Sequence, residues 1–264
     1  MSSRCRASVL ALMLAAAALP AAARELKVCS EPNNLPFSNR AGAGFENRIA
    51  ALVAHELGAT LVPVSIAQHG PGFLRATLGS GRCDVLMALP VGAGGATLTR
   101  PYYRASWVFV GRADRPLPRS FDDPALRDLA IGVPVVGEGA DTPPVIALGR
   151  RGIVDRLVRY PVGGDLSDDD DAAARMIEDV AEGRLDVAVM WGPAAGYHAA
   201  RHGTALHLLP TPPDDGATIP LALSIAMAVK RDNPLHAELD AALTRRRADI
   251  AAVLAAYHVP VLPD

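Results

Sequence analysis

Short apolar runs that alternate with amphipathic helical patterns constrain this chain most. Parallel strands cannot be joined by a tight turn, so each must be followed by a crossover, usually a helix, and the alternation reads as a parallel sheet with helices on its faces. The spacing predicts a strand over 26–29, then a helix over 45–57. That helix places Ile49, Leu52, Val53 and Leu57 on one face and stops at Gly58, the residue type suited to a left-handed C′ position. A strand over 61–65, a short helix over 72–78 and a strand over 84–89 complete a βαβαβ unit, and a further strand is expected over 107–110.

The polar, proline-bearing stretch 112–118 then suits a crossing into a second body, where the pattern restarts. A strand over 129–136 is followed by a helix with Thr142 as N-cap and Pro143 in its first turn. Next come a strand over 157–160, a helix over 172–182, a strand over 185–189 and a helix from about Pro193. Segment 210–220, which holds four prolines, reads as the return crossing. A strand over 221–229 and one last helix, opened by Asn233-Pro234 and carrying Leu235, Leu239, Leu243, Ile250, Leu254 and Tyr257, finish the first body.

Residues 1–23 stand outside this scheme. Arg4 and Arg6 precede an unbroken apolar run of eleven, 9–19, then Pro20 and three alanines, which is the build of a secretory signal peptide. Eleven residues fall short of the roughly 20 that a membrane-spanning helix needs, so the chain is expected to be exported to the periplasm rather than membrane-spanning. Cleavage after Ala23 would leave 264 − 23 = 241 residues. The expected organisation is a signal peptide over 1–23, a first lobe over 24–112, a second lobe over 113–212 and a return to the first over 213–264. Cys5 leaves with the signal, and Cys29 and Cys83 remain in a compartment where disulfides persist. Either they form a bridge, or neighbouring parallel strands hold them apart as two buried thiols.

An echo within the chain supports two lobes. Gly81-Arg82-Cys83-Asp84-Val85 returns as Gly183-Arg184-Leu185-Asp186-Val187, each time closing a helix and opening a strand. Ligands of such sheets bind beyond the carboxyl ends of strands, which nominates 30–37, 88–95, 137–142 and 190–193. Asn33, Asn34 and Phe37 offer two amides and a ring there, or else make a turn with Pro32. Thr142 ends a glycine-bearing helix start at which backbone N–H groups could meet an anion, though Glu138 and Asp141 oppose that. Trp191 either stands at the cleft mouth or packs between the lobes, and Tyr197 is a further aromatic candidate.

The net charge of −2 gives no basic field for nucleic acid. No hydrolase elbow, zinc-protease helix or phosphate-loop lysine is present, so no catalytic residue is nominated, and no cofactor or metal site is expected. His198, His202 and His207 are read as solvated histidines rather than metal ligands, and Asp168–Asp171 as an acidic helix start rather than a calcium loop.

The signal peptide, a Pro-x-x-x-Pro-Phe segment at Pro32 to Phe37, Gly44-Phe45-Glu46, Arg100-Pro101-Tyr102-Tyr103 and the Gly183 motif together resemble the family 3 periplasmic solute-binding proteins. That resemblance implies a type II periplasmic-binding-protein fold, with two α/β lobes, a two-strand hinge, closure around a small solute and delivery to an ABC permease. Amino-acid binders of the family clamp their ligand with an Arg after the third strand and an Asp after the 185–189 strand. Here the first stretch, 90–97, holds no Arg, and the Asp position holds Trp191.

Longer motifs are similar to a subgroup associated with quinoprotein (PQQ) dehydrogenases, the MoxJ/XoxJ-like proteins of methanol oxidation. They are Cys29 to Asn39, Gly44 to Asn47, Cys83-Asp84, Thr99 to Arg104, Asp141 to Pro144, Arg150 to Ile153 and Met190 to Tyr197. This resemblance implies a non-catalytic accessory of a PQQ-dependent methanol or alcohol dehydrogenase. The alternatives are a solute receptor of an ABC importer and an enzyme built on the same fold.

Overall fold

The computed structural model describes residues 24–66, 72–136, 140–162, 171–214, 216 and 219–263. Residues 1–23, where a signal peptide is expected, the Gly137–Gly139 part of the glycine-bearing helix start and the Asp168–Asp170 part of the acidic run lie outside the described residues.

The apolar run expected as the first strand forms β1 (Glu25–Ser30), and a small hairpin of β2 (Asn33–Asn34) and β3 (Ser38–Asn39) leads into α1 (Phe45–Glu56). Strands β4 (Thr60–Ser65) and β5 (Val85–Pro90) lie parallel to β1 on either side of it. The expected helix over 72–78 is a π-helical turn at Arg75–Gly79, joined to β5 by Gly81 at φ 74°.

The expected strand over 107–110 proves to be part of β6 (Thr97–Arg112), sixteen residues long. Pro101 and the arginines around it hid the first half, and the register on the neighbouring strand shifts at Pro101, which has no N–H for the ladder. Residues 97–106 of β6 pair with β12, whereas 107–110 pair with β10. The change of partner thus falls between Ser106 and Trp107, inside the strand, while the 112–118 stretch begins at its last residue.

In the second lobe, β7 (Ile131–Val136) carries β8 (Ala140–Asp141) and β9 (Leu157–Val162), with α2 (Pro143–Gly149) packed against it. Helix α3 (Ala172–Ala181) opens on Asp171, whose carboxylate accepts from Ala174 N at 2.9 Å. Strand β10 (Val187–Trp191) runs two residues further than the periodicity predicts, so Trp191 ends the strand instead of following it. Helix α4 (Gly192–Ala199) follows, then β11 (Leu206–Pro210), which the sequence did not announce and which pairs with β6.

The chain returns through β12 (Ala222–Val229) to two helices, α5 (Leu235–Arg245) and α6 (Arg247–Ala256), where one helix was expected. Arg246, at φ −96° and ψ 12°, breaks them. Both Arg245 and Arg246 pair with the Glu56 carboxylate of α1. Consecutive residues of an unbroken helix point about 100° apart and do not converge so readily on one carboxylate.

The strand order β4-β1-β5-β12-β6-β10-β7-β8 runs through both lobes, joined where β6 and the chain entering β12 cross. The echoed motif has one mechanical role in each lobe. Asp84 accepts from Lys27 N at 2.8 Å and Asp186 from Ala130 N at 2.9 Å, so each carboxylate ties the start of its strand to the neighbouring chain. The first lobe buries Phe45, Ile49, Val53, Leu239 and Leu254 on one face of its strands. Cys29, Ile66, Leu78, Cys83 and Leu86 form the other. The choice left open for the cysteines resolves as a Cys29–Cys83 disulfide with Cα atoms 5.6 Å apart. Cys83 sits in the turn before β5 rather than in the strand, which brings it within bridging reach.

Candidate functional site

Between the lobes, at the carboxyl ends of β1, β5 and β10, lie two adjoining cavities of about 410 and 300 Å³. The hairpin that lines both is fixed by the start of α1. Asn47 Oδ1 accepts from Asn39 N at 3.0 Å and from Gly44 N at 3.1 Å, while Glu46 N donates to Phe37 O at 2.9 Å. Gly44 is obligatory here, since any Cβ would overlap the Phe37 carbonyl. The Gly-Phe-Glu signature therefore anchors the hairpin and, through its third residue, supplies the cleft with a carboxyl group.

The larger cavity lies between this hairpin and the second lobe. Asn33, Asn34 and Phe37 face Trp107, Met176, Met190 and Trp191 across it. Trp107 and Trp191 are paired residues of β6 and β10, with rings 5.8 Å apart edge to face. Trp107 is 8% exposed, and its indole N–H has no partner among the described residues. The smaller cavity shares Asn34, Phe37 and Trp191 and adds Glu31, Glu46, Ala88 and Tyr103.

Glu46 is the electrostatic centre of the smaller cavity. It is 3% exposed, and Tyr102 donates to its Oε1 at 3.3 Å. Burial, and after it the charge of Glu31, push this carboxyl up to about 8, against the pull of the Tyr102 hydrogen bond. Burial raises Tyr102 and Tyr103 well above the usual tyrosine range. The Ala88 backbone beside Tyr102 and the Trp191 indole beside Tyr103 act in the opposite direction. Ala88 takes φ 62°, a left-handed conformation uncommon for a residue with a side chain.

A second set of contacts ties the lobes behind the cleft. His198, buried on α4 rather than solvated as expected, lies 3.5 Å from Asp171 Oδ2 and close to the Leu35 backbone of the opposite lobe, and its Nε2 has no hydrogen-bond partner among the described residues. Burial lowers its pKa more than Asp171 and Leu35 raise it. Tyr197 stacks on Tyr257 at 5.9 Å, beneath Arg201 at 3.4 Å.

Four of the six expected residues, Asn33, Asn34, Phe37 and Trp191, thus come together. The asparagines form β2 of a hairpin that turns at 35–37, rather than a turn with Pro32, and that hairpin is a wall of the cavity. Thr142 does not line either cavity. It is buried at the N-cap position of α2, but its hydroxyl donates to Pro134 O at 2.7 Å instead of capping the helix. Tyr197 faces the C-terminal helix rather than the cleft. Sequence reasoning missed Trp107, Tyr103 and the burial of Glu46. An acidic residue at a helix start is ordinarily solvated, and the only signal was its place in the Gly-Phe-Glu motif. His202 turns to Thr204 N rather than joining His198.

The amino-acid clamp has no counterpart at the expected positions. Trp191 fills the Asp position, and Arg100, the first arginine after 90–97, hydrogen-bonds Asp240 of α5 through its backbone N at 2.7 Å. Two α/β lobes, two crossings and a cleft at the strand ends define a periplasmic binding protein of the type II build. No protein-family model matches the chain. It is 33% identical over 249 residues to the protein MoxJ of Methylorubrum extorquens, covering 90% of this chain and 82% of that one. It is 32% identical to MoxJ of Paracoccus denitrificans, covering 98% and 97%. The crystal structure of the periplasmic binding protein XoxJ from Methylobacterium extorquens AM1 superposes with a TM-score of 0.72 at 37% identity, over 90% of this chain and 100% of that one. The chain belongs to the MoxJ/XoxJ family of periplasmic binding proteins. Among the described residues no helix is long and apolar enough to cross a membrane.

Proposed function

We propose that the protein is a non-catalytic periplasmic accessory that engages a PQQ-dependent methanol or alcohol dehydrogenase through its interlobe cleft. The association with methanol oxidation comes from the family resemblance. The observation that carries the reading is the cleft itself. At the two positions where a receptor for amino acids carries its Arg and Asp this chain has neither, and the cleft wall is dominated by Trp191, Trp107, Phe37 and two methionines; Arg40 and Asp171 also line it, with Asp171 engaged in capping α3. An aromatic and thioether wall suits a protein segment, since aromatic side chains dominate interface energies and methionine adapts to irregular surfaces.

The test is to titrate the mature chain, residues 24–264, into the PQQ dehydrogenase of the same organism by calorimetry, with dye-linked alcohol oxidation followed in parallel. Saturable binding with altered activity is expected. Trp191→Ala weakens binding by about 30-fold, the equivalent of a 2 kcal/mol anchor. Unchanged binding by that variant removes the cleft from the interface, and no binding at tens of micromolar overturns the reading. A cavity of about 410 Å³ lies within the range of small-molecule sites and favours the second reading, a solute receptor for an ABC permease. That reading is tested by a thermal-shift screen against small organic solutes.

A further inference from the structure

The smaller cavity carries a chemistry that partner docking does not use. A buried carboxyl group ordinarily finds an arginine, a lysine or several hydrogen-bond donors, because desolvating a charge without them costs several kcal/mol. Glu46 forms no ion pair among the described residues, and the one side-chain hydrogen bond found for it is the Tyr102 hydroxyl at 3.3 Å. Arg48, the nearest cation along α1, is turned away and donates to Tyr257 OH at 2.7 Å. No Lys, Arg or His is among the described residues that line the cavity, whereas two carboxyl groups, Glu31 and Glu46, are.

The remaining walls are aromatic. Phe37, Tyr103 and Trp191 line the same space as Glu46. The edge-to-face contact with Trp107, rings 5.8 Å apart, holds the indole in place. Ring faces attract cations, and a quaternary ammonium is recognised by such rings together with a carboxylate. A space of about 300 Å³ admits an ion of a few carbon atoms.

We propose that the smaller cavity is a binding site for a small alkylammonium cation, seated against Glu46 and the rings of Phe37, Tyr103 and Trp191. The cation supplies the counter-charge that Glu46 lacks. Because burial and Glu31 keep the Glu46 proton on until about pH 8, the bound cation displaces that proton, and affinity follows the ionised fraction of Glu46. The other titratable groups facing Glu46 are Glu31, beyond β1, and Tyr102 and Tyr103 on β6.

The experiment is calorimetry of the mature chain with choline, and with its uncharged isostere carrying a tert-butyl group, at about pH 6, 7 and 8. Choline binds and the isostere does not, and affinity rises about 50-fold from pH 6 to 8 as the ionised fraction grows from about 1% to a half. Near pH 7 about one proton leaves per cation bound, read from two buffers of different ionisation heat. Glu46→Gln, nearly isosteric, loses at least tenfold in affinity and loses the pH dependence. Tyr102→Phe, which removes the bond that favours the carboxylate, moves the profile to higher pH. Absence of choline binding, equal binding of the isostere, or a Glu46→Gln variant that binds with the wild-type pH profile overturns the proposal. No dehydrogenase enters these measurements, so the site stands or falls apart from the accessory reading.

Discussion

Replacing Glu46 by glutamine should make the protein more stable at neutral pH and leave it unchanged in acid. Below pH 4 the carboxyl is protonated in both folded and unfolded chains and contributes no difference. As pH rises, the unfolded chain ionises near its ordinary 4.5, whereas the folded one holds its proton to about 8. The folded state then binds more protons than the unfolded, so stability falls with pH throughout that window and levels off above it. At about 1.4 kcal/mol per pH unit, the whole gap amounts to roughly 5 kcal/mol, of which about 3 kcal/mol is already lost by pH 7. Glutamine cannot ionise and can still accept from Tyr102, so the variant lacks this decline. Urea denaturation of both proteins at pH 4, 5.5 and 7, at constant ionic strength, measures it. The stability difference should widen by about 3 kcal/mol from pH 4 to 7. Parallel pH profiles would refute the reasoning, since they would mean that Glu46 ionises alike in the folded and unfolded chains.

Two further outcomes concern the scaffold. Cys29 and Cys83 close a sequence separation of 54, so Cys29→Ser with Cys83→Ser should lower stability by about 4 kcal/mol on chain-entropy grounds, read as a drop in urea midpoint that a reductant reproduces in the wild type. Gly196 of α4 lies against the His258 carbonyl, where an alanine Cβ would overlap backbone. Gly196→Ala should therefore cost about 1–3 kcal/mol and lower Tm by several degrees in scanning calorimetry, although alanine is the better helix former.

The alternation of apolar runs and helical faces, the two-lobed fold class and the family motifs were all legible in the sequence. Each depends on local periodicity, set by the pleat of a strand or the pitch of a helix, and on residue types that survive as motifs. The absence of an arginine at 90–97 and of an aspartate at 191 was legible in the same way, and it already spoke against an amino-acid ligand. Tertiary structure decided what depends on residues far apart in the chain. Pro101 reads as a strand breaker, yet β12 tolerates it through a register shift. The break at Arg246 answers to Glu56, and the bridge of Cys29 depends on where the turn before β5 places Cys83. Glu46 illustrates the difference most clearly. Its position at a helix start promises a solvated carboxylate, but the hairpin, β5 and β6 close over it and leave Tyr102 as its partner. Sequence carries the preference of each side chain for water or for a neighbour; only the assembled cleft determines which neighbour arrives and whether water can reach the group once it has.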